Sequence, residues 1–373
     1  MRKNSWILLS IYSDFLSDPP CNKSIKIFEA TGFFGDQIRN SAFLSHCSKE
    51  VQEYCGITRR KPDFEKADAV VFHARDYNHA KSRWLFENQN RNAKIPYIIW
   101  TMESPISEQN FPNSMNLTMS YDTASDIYFP YGHFRRKNQK TAENLEEIWK
   151  MKRKSAESGA EIAWMVSNCE TVNRRMEIVQ KLRKLGLKID IFGKCGILPK
   201  QCSISEATSK CEFDLISPYK FYISIENSNC KDYITEKFWR NIKNRFVVPI
   251  VLGKQLYLDS GIPEKSFIAL DDFENLEIFK NFIENLAENK TRYLEFHEWR
   301  NEFEIDDVLG EGSNDHGFCK LCRNLKSKKY STNLKSYSNL VGSWHKLEDC
   351  DNKLGSQFLD GSANIFYFSN KLG

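Results

Sequence analysis

The sequence lacks the short motifs that most often bind nucleotide phosphates or catalytic metals. It contains neither a G-x-x-x-x-G-K loop nor a G-x-G-x-x-G loop, which excludes a P-loop nucleotidase and a dinucleotide site with the usual fingerprint. It contains no H-E-x-x-H zinc motif, and the single D-x-D, Asp349-Cys350-Asp351, lies in an unassigned C-terminal stretch and is interpreted as chance. An anionic ligand would therefore be neutralised by arginine, lysine and a helix N-terminus.

The sequence also has no apolar run long enough to cross a bilayer. Residues 6–16 (WILLSIYSDFL) follow a positive flank at Arg2 and Lys3, and Asp14 interrupts the run. Its length is about half of the ~20 residues that a spanning helix needs. Residues 1–20 fit a short signal-peptide core, a truncated membrane anchor or an amphipathic stretch, and the sequence leaves these alternatives open.

The net charge is too small for a typical nucleic-acid-binding protein. It amounts to +4 over 373 residues, and the basic residues are scattered among nearly as many acids. The length suits two ordinary domains, and a hydrophobic content of 41% is enough for two cores. A small anionic ligand remains compatible with this charge, provided that a few cations converge locally.

Cysteine, by contrast, is frequent. Eleven cysteines accompany three glycosylation sequons, which start at Asn22, Asn116 and Asn289. Cys319 and Cys322 form a C-x-x-C, but no second close pair with a similar spacing completes a zinc site. We therefore predict disulfides formed in an oxidising secretory compartment, and the odd count leaves at least one thiol free or intermolecular.

Strand-like runs alternate with helical runs in two blocks. The first block has strand-like runs at 25–28, 69–73 and 95–100 and a short predicted helix at 82–90, and the segment 126–132 closes it. A charged segment at 135–154 follows and is interpreted as a solvated helix and linker. The second block has predicted strands at 162–166, 188–192, 219–225 and 247–252, and predicted helices at 173–185, 236–242 and 275–289.

This alternation predicts an α/β fold of two domains that face each other, 21–155 and 156–325. Ligands of such domains bind at the carboxyl ends of the strands. Residues 326–373 show weak periodicity and remain unassigned.

The most informative segment is 219–253, YKFYISIENSNCKDYITEKFWRNIKNRFVVPIVLG. Its pattern is a strand, a polar loop, an amphipathic helix and a second strand. The polar residues of the loop and helix start are Asn227, Ser228, Tyr233, Thr235, Glu236 and Lys237. Thr235 is the predicted N-cap, and the helix N-terminus together with Lys237 favours an anionic ligand. Glu236 could bond sugar or ribose hydroxyls; the alternative is that Glu236 and Lys237 form an ordinary exposed helix turn.

Two other places carry candidate site residues. Glu103 directly follows a buried strand that Ser104-Pro105 ends, so its carboxylate projects at the strand's carboxyl end and could act as a general base on a sugar hydroxyl. Arg174 and Arg175 lie near the start of a helix, where their guanidinium groups could approach a diphosphate. The alternatives are an ordinary polar strand end for Glu103 and a solvated helix face for the arginines.

Several ordered segments over residues 43–325 resemble animal α1,3-fucosyltransferases, the GDP-fucose-dependent enzymes of glycosyltransferase family 10. The run YKFYISIENSNCKDYITEKFW closely resembles the signature of that family. The other matching segments are ADAVVFHARD (67–76), ESP (103–105), NLTMSYDTASDIYFPYG (116–132), VSNC (166–169), IDIFGKCG (189–196) and the C-x-x-C at 319–322.

The resemblance implies a GT-B fold, in which two Rossmann-like domains face each other across a cleft, the first binding the acceptor and the second the donor. It implies an inverting transfer of L-fucose from GDP-β-L-fucose to the 3-hydroxyl of N-acetylglucosamine, through a transition state with oxocarbenium character. By motif position, Glu103 is the general base. The implied GDP-fucose contacts are Arg175 (or Arg174, if the loop is one residue shorter), Asn227, Tyr233, Glu236 and Lys237.

The resemblance also implies a setting for the enzyme. The family requires no metal for catalysis, although Mn²⁺ can stimulate it. The expected location is the Golgi lumen, as a single-pass type II membrane protein whose anchor is short or incomplete in this chain. Disulfides are expected at the spacings of Cys47/Cys55 and Cys319/Cys322.

Several alternatives remain open from the sequence. The acceptor could be the innermost N-acetylglucosamine of an N-glycan, or N-acetyllactosamine and its GalNAc relative, on a glycoprotein or a glycolipid. A catalytically inactive glycan-binding pseudoenzyme of the same fold would be marked by loss of Glu103, Arg175 or Lys237, and all three are present. A GT-B enzyme with another nucleotide sugar is disfavoured by the Y-I-T-E-K run at 233–237.

Overall fold

The structure is a computed structural model that describes residues 21–34, 43–77, 91–105, 115–152, 158–196, 209–308, 316–330, 334, 337 and 350–360. The apolar segment at 6–16, the helix predicted at 82–90 and Asp349 of the D-x-D lie outside these residues. Within them, no helix is both long enough and apolar enough to cross a membrane.

Strands and helices alternate along most of the chain. The strands are β1 (Ile25–Glu29), β2 (Cys55–Thr58), β3 (Ala69–His73), β4 (Tyr97–Thr101), β5 (Leu117–Ser120), β6 (Ile127–Tyr128), β7 (Gly132–Arg136), β8 (Ile162–Met165), β9 (Ile189–Phe192), β10 (Phe221–Ile223), β11 (Val248–Val251), β12 (Ile268–Ala269) and β13 (Phe303–Asp307). The helices are α1 (Lys49–Tyr54), α2 (Lys61–Phe64), α3 (Leu145–Met151), α4 (Arg175–Lys184), α5 (Ser209–Ile216), α6 (Glu236–Asn244), α7 (Lys254–Asp259), α8 (Leu276–Glu288), α9 (Lys290–Glu295), α10 (Gly317–Lys326) and α11 (Lys353–Asp360). Short 3₁₀ turns lie at Glu264–Ser266, Leu270–Asp272 and Glu298–Asn301.

Two parallel sheets organise these elements. The first has the strand order β2-β1-β3-β4-β5-β6 and the second β12-β11-β10-β8-β9. In both sheets the winding reverses beside the first strand, between β1 and β3 and between β8 and β10. Loops that leave the sheet at such a switch point diverge and open a crevice for a ligand. The prediction of an α/β fold built from two Rossmann-like sheets is confirmed.

The strands that the sequence predicts most closely are those covered on both faces. β3 (AVVFH) and β11 (VPIV) are buried at every position, and such continuous apolar runs are typical of parallel strands covered by helices. In the second sheet, apolar residues at helical spacing supply part of the cover, including Ile178 and Leu182 of α4 and Phe279 and Ile283 of α8. The core of this sheet therefore follows from two sequence patterns, the continuous apolar runs of the strands and the helical spacing of apolar residues in the helices.

The charged segment at 135–154 differs in part from its interpretation as a solvated helix and linker. α3 forms within it, but Arg135 and Arg136 belong to β7, which pairs antiparallel with β13. Arg135 lies 2.8 Å from Glu304 and 3.0 Å from Asp306, both on β13. A run of positive charge becomes a strand here because a partner strand more than 160 residues away supplies the negative charge.

The chain crosses between two compact units more often than the predicted boundaries allow. The described residues of Met1–Pro130 and Val308–Glu348 form the first unit, and those of Tyr131–Asp307 and Asp349–Gly373 form the second. β7 joins the second unit because it pairs with β13, and α10 joins the first because disulfides attach it there. The observed units therefore differ from the boundaries at 155 and 325.

The disulfides connect distant parts of the chain. Cys47 pairs with Cys319 and Cys55 with Cys322, whereas the family resemblance leads us to expect bridges at the spacings of Cys47/Cys55 and Cys319/Cys322; that expectation is wrong. The C-x-x-C lies on α10, and its two sulfurs reach the two ends of α1. Further bridges join Cys169 to Cys195 and Cys230 to Cys350. Cys21 is buried and free, as the odd count requires of at least one cysteine.

Removing the two bridges of α10 should destabilise the chain more than additively. While one bridge is intact, the other closes only a short loop of about ten residues, which is worth about 3 kcal/mol. When either bridge is the only one left, it closes a loop of more than 260 residues, which is worth about 5.5 kcal/mol. We expect a modest fall in thermal midpoint for Cys47→Ala/Cys319→Ala and for Cys55→Ala/Cys322→Ala. The quadruple variant should fall by clearly more than the sum, and a purely additive result would contradict the pairing.

Folding closes one of the three glycosylation sequons. Asn116 is buried, and its side-chain oxygen accepts a hydrogen bond from the Tyr97 N–H at 3.0 Å. Asn22 and Asn289 are exposed. The folded chain therefore presents Asn22 and Asn289, not Asn116, to a glycosylating enzyme.

His316 is a buried histidine that folding holds in the neutral form. It caps α10, with Nδ1 accepting from the Phe318 N–H at 3.4 Å, and its ring packs on Phe129 and faces His46. Burial lowers the pKa of His316 to about 3, and His46 adds to the effect. A histidine in the unfolded chain has a pKa of about 6.5. Below pH 6.5 the unfolded state binds a proton at this histidine and the folded state does not, so the free energy of unfolding falls as the pH drops.

Replacing His316 by Asn should flatten this acid dependence. Asparagine keeps an N-cap oxygen and does not titrate, so the change removes the proton linkage with little loss of capping. Between pH 6 and pH 5 the parent should lose about 1 kcal/mol more unfolding free energy than His316→Asn, because one unit of pKa difference is worth about 1.4 kcal/mol. Urea unfolding at both pH values measures this, and parallel losses would refute the assignment.

Candidate functional site

The second sheet places the predicted donor-binding residues at its switch point. The loop after β8 leads to Arg175 at the start of α4, and the loop after β10 leads to α6. β8 and β10 are hydrogen-bonded neighbours, so these two loops leave the same edge of the sheet side by side. The structure thus brings Arg175, Asn227, Tyr233, Glu236 and Lys237 into one region, as the sequence predicts for an α/β ligand site.

A buried carboxylate organises the start of α6. Glu226 is 4% exposed, and its oxygens accept from the Thr235 N–H at 2.7 Å and from the Thr235 hydroxyl at 2.7 and 2.9 Å. Thr235 in turn caps the helix, since its hydroxyl accepts from the Lys237 N–H. The strand end and the helix N-terminus are therefore locked together, which confirms the predicted cap.

Lys237 lies between two carboxylates. Its Nζ is 3.3 Å from Glu226 and 3.1 Å from Glu236, and it donates to the Thr235 hydroxyl at 2.9 Å. Burial alone would lower the pKa of Lys237, but Glu226 and Glu236 outweigh it and raise that pKa above its usual range. Burial raises the pKa of Glu226, whereas Lys237 brings the net pKa of Glu236 below its usual value. The ammonium is thus a fixed charge at the helix start.

Arg175 is deeper than its predicted role suggests. It is 1% exposed, and its guanidinium donates to the carbonyl oxygens of Ile225 at 2.7 Å and Asn168 at 3.0 Å. Its Nε is buried and has no partner among the described residues. Arg175 therefore joins the loop after β8 to the end of β10, with one N–H still to be satisfied.

Arg174, the alternative to Arg175, faces elsewhere. It adopts a left-handed conformation (φ 57°) before α4 and pairs with Glu177 at 2.7 Å on the helix surface. Its other contacts are Ser356 at 3.3 Å and Asp360 at 3.8 Å, both on α11. The geometry therefore favours Arg175 over Arg174 as the arginine of this region.

Asn227 and Tyr233 flank the same loop. The side-chain oxygen of Asn227 is buried and accepts no hydrogen bond within the described residues. Such an acceptor is costly unless a ligand or water donates to it. Tyr233 is 2% exposed and lines a small pocket at the carboxyl ends of β10 and β11, together with Glu226, Asn229, Gly253 and Tyr257. Of the predicted donor contacts, Tyr233 alone lines this pocket.

Three residues of this network have no role in the sequence prediction. They are Glu226, Asn173 and Asn229. The Asn173 amide donates to the Glu226 carbonyl at 2.9 Å and to the Asn229 side chain at 3.0 Å, so it connects the two loops. Glu226 carried a usable signal, because it directly follows a buried strand just as Glu103 does. Asn173 and Asn229 carried none, since their partners lie more than 50 residues away.

The predicted base lies in the first unit. Glu103 follows β4 by two residues and is half-buried, and its N–H donates to the Thr101 hydroxyl at 2.9 Å. Ser104 and Pro105 are buried, so the turn that carries Glu103 is anchored on its C-terminal side. Glu103 thus lies just beyond the carboxyl end of its strand, where the sequence predicts it.

The switch point of the first sheet carries an exposed aromatic ring. Phe34 follows β1 and is 46% exposed, and the Arg75 guanidinium lies over its ring at 5.2 Å. Asp76 holds this arrangement, because it accepts from the Phe34 N–H at 2.6 Å and bonds the His73 ring at 2.6 Å. An exposed ring that has an arginine over it, with a carboxylate bonded to its backbone, suits a polyhydroxylated ligand with apolar faces.

Metal ligands do not gather in either region. Across the part of the chain that the structure describes, no three His, Cys, Asp or Glu side chains are placed so that they could hold a metal ion. Positive charge at the second site comes instead from Lys237, Arg175 and the N-terminus of α6.

Two Rossmann-like sheets of this winding, with polar loops at both switch points, are the architecture of the GT-B class of glycosyltransferases. The family model "Glycosyltransferase family 10 (fucosyltransferase) C-term" matches residues 151–343, and "Fucosyltransferase, N-terminal" matches residues 22–132. This chain belongs to glycosyltransferase family 10, the fucosyltransferases.

Similar proteins agree with this assignment. The chain is 39% identical to alpha-(1,3)-fucosyltransferase fut-6 of Caenorhabditis elegans, over 91% of this chain and 85% of that protein. It is 42% identical to alpha-(1,3)-fucosyltransferase fut-5 of the same organism, over 90% and 86%. A crystal structure of an alpha1,3-fucosyltransferase with GDP-fucose has a similar fold, with a TM-score of 0.52, 17% identity and coverage of 88% of this chain and 98% of that one.

Proposed function

We propose that this chain transfers L-fucose from GDP-β-L-fucose to the 3-hydroxyl of N-acetylglucosamine in glycoprotein or glycolipid glycans, with inversion at the anomeric carbon. The observation that carries the proposal is the Glu226–Thr235–Lys237 arrangement, which fixes a cation at a helix N-terminus beside the switch point of the second sheet. This is chemistry suited to a departing diphosphate. The names of the two nematode relatives specify the same linkage.

In the proposed step, Glu103 takes the proton of the acceptor 3-hydroxyl while that oxygen attacks C1 of fucose. The bond between C1 and the phosphate oxygen breaks, and its electron pair leaves with GDP. Lys237, the α6 N-terminus and Arg175 offset the charge that develops on the diphosphate. Glu236 bonds a ribose or fucose hydroxyl or faces the positive charge that develops at C1. Asn227 and Tyr233 complete the donor contacts.

The acceptor is proposed to bind to the first unit, where Phe34 and Arg75 offer an aromatic face and hydrogen-bond donors. We infer that the reaction needs no metal, because protein cations already offset the charge of the leaving group. We also infer that Mn²⁺ can stimulate it. The proposed location is the Golgi lumen, with membrane association through the N-terminus and no nucleic-acid partner. The disulfides favour an oxidising compartment of this kind.

The test is sugar transfer by the full chain, expressed in a eukaryotic secretory pathway. GDP-fucose, with UDP-galactose as control donor, would be offered to N-acetyllactosamine and to a trimmed N-glycopeptide, with EDTA or Mn²⁺ in parallel. We expect one deoxyhexose to be added per acceptor with GDP-fucose but not with UDP-galactose, and we expect this transfer to persist in EDTA. The acceptor that reacts identifies the subclass. GDP-fucose binding without transfer to either acceptor would favour the glycan-binding pseudoenzyme instead.

A further inference from the structure

The residues at 350–360, called here the C-terminal strap, lie against the donor loop. The strap was unassigned from the sequence, yet Cys350 is bonded to Cys230 within the signature segment itself. The two cysteines also form an isolated antiparallel bridge. The strap then continues as α11, which packs on α4, with Phe358 buried in the core of the second sheet.

Asn229 is the point where the strap holds the loop. Its backbone N–H donates to the Asn352 side chain at 2.9 Å, and its carbonyl accepts from the Asp351 N–H at 2.8 Å. Its side-chain amide donates to the Asp351 carbonyl at 3.0 Å. Three of the four polar groups of Asn229 are therefore bound by the strap. The fourth, its side-chain oxygen, accepts from Asn173.

This arrangement extends to the proposed donor contacts. Asn173 holds the Glu226 carbonyl, and the Glu226 carboxylate holds Thr235 and Lys237. Asn229 itself lines the pocket that Tyr233 shares. A continuous chain of hydrogen bonds thus runs from the strap to the lysine at the helix N-terminus.

The strap also fits tightly against the second loop of the site. A Cβ on Gly355 would lie 1.9 Å from the Asn173 carbonyl oxygen, so glycine alone permits this approach. On the far side, Lys181 of α4 donates to the Phe358 and Leu359 carbonyls at 3.0 Å and fixes the end of α11. Both ends of the strap are therefore attached to the second unit.

We propose that the C-terminal strap is a positioning element for the nucleotide-sugar donor, with Asn352 and Gly355 as its positioning residues. The inference rests on the proposed function, because the loop it holds is the proposed GDP-fucose loop. It predicts an effect on donor affinity and not on the chemical step, since Asn352 and Gly355 contact the loop residues Asn229 and Asn173, to which no role in the chemical step is assigned.

The experiment compares Asn352→Ala, Asn352→Asp, Gly355→Ala and Lys353→Ala in the full chain. Asn352→Asp keeps the acceptor oxygen for Asn229, and Lys353 is an exposed strap residue that serves as matched control. We expect Asn352→Ala and Gly355→Ala to raise the Kd for GDP and the KM for GDP-fucose by about fivefold or more, with kcat within twofold of the parent. Asn352→Asp and Lys353→Ala should match the parent.

GDP binding, read by calorimetry, separates this inference from the proposed reaction. If GDP binds the parent and the variants lose affinity while no acceptor is fucosylated, the proposed function fails and the strap inference stands. If Asn352→Ala and Gly355→Ala keep the parent's Kd for GDP and only lower the thermal midpoint, the strap merely stabilises the fold and the inference is overturned. A parent that does not bind GDP would overturn both.

Discussion

Replacing Glu103 by Gln should lower kcat for fucose transfer by about 10²- to 10⁴-fold, the usual contribution of a general base. The amide has nearly the shape of the carboxylate but cannot accept the proton of the acceptor hydroxyl. The Glu103 N–H bond to Thr101 and the buried Ser104-Pro105 turn involve the backbone, so the change should leave the local fold intact. Because the loss falls on the chemical step, the Kd for GDP should not change.

Initial rates with saturating GDP-fucose and acceptor measure this effect, and calorimetry with GDP measures the unchanged donor site. Glu65→Gln, an exposed carboxylate of the same unit, is the matched control and should keep the parent's kcat. A Glu103→Gln enzyme with near-normal kcat would mean that another group takes the proton. A loss of GDP affinity equal to the loss of rate would instead indicate a disturbed fold.

Replacing Lys237 by Met should produce two separable losses. The Glu226 carboxylate would stay buried with only Thr235 to bond it, and stranding one partner of a buried pair costs about 3 kcal/mol. For a unit of this size, that corresponds to a fall in thermal midpoint of roughly 6–12 °C. The lost ammonium should also weaken GDP-fucose binding by about 10- to 100-fold, the range expected for a charged hydrogen bond.

The double variant Lys237→Met/Glu226→Gln distinguishes the two losses. A glutamine at 226 can still accept from Thr235 but carries no stranded charge, so most of the thermal midpoint should return. Donor affinity should stay low, because the cation is still missing. Lys243→Met, on the last turn of the same helix, controls for loss of a lysine from α6. If the double variant recovered donor affinity along with stability, Lys237 would be structural and the diphosphate role would be refuted.

The sequence predicts best the parts whose energetics are local. Continuous apolar runs predict β3 and β11, and the position of Thr235 between a polar loop and an amphipathic helix predicts the cap. β2 (CGIT) and β5 (LTMS) went unpredicted, because short runs of small and polar residues become strands only when neighbouring strands bury them. The same tertiary override explains β7, whose arginines need β13.

The site divides along the same line. Glu103, Asn227 and Tyr233 lie in loops that follow strands, so a buried strand followed by polar residues locates them. Glu236 and Lys237 begin the helix that follows such a loop, and the Thr235 cap locates them. The functional context of Arg175 could not be predicted, because its partners are backbone carbonyls of residues seven and fifty positions away. The cysteine partners and the C-terminal strap depend on contacts of still longer range, for which spacing within the chain holds no information.

The first unit is interrupted in sequence by nearly the whole of the second, and this has a consequence for biosynthesis. Cys47 and Cys55 emerge from the ribosome long before Cys319 and Cys322, with 272 and 267 residues between the partners. At a synthesis rate of about 5–20 residues per second, the early thiols wait on the order of 15–50 s. In an oxidising lumen a nascent Cys47–Cys55 bridge is the nearest competitor, so correct pairing would require an isomerase or slow oxidation until α10 arrives.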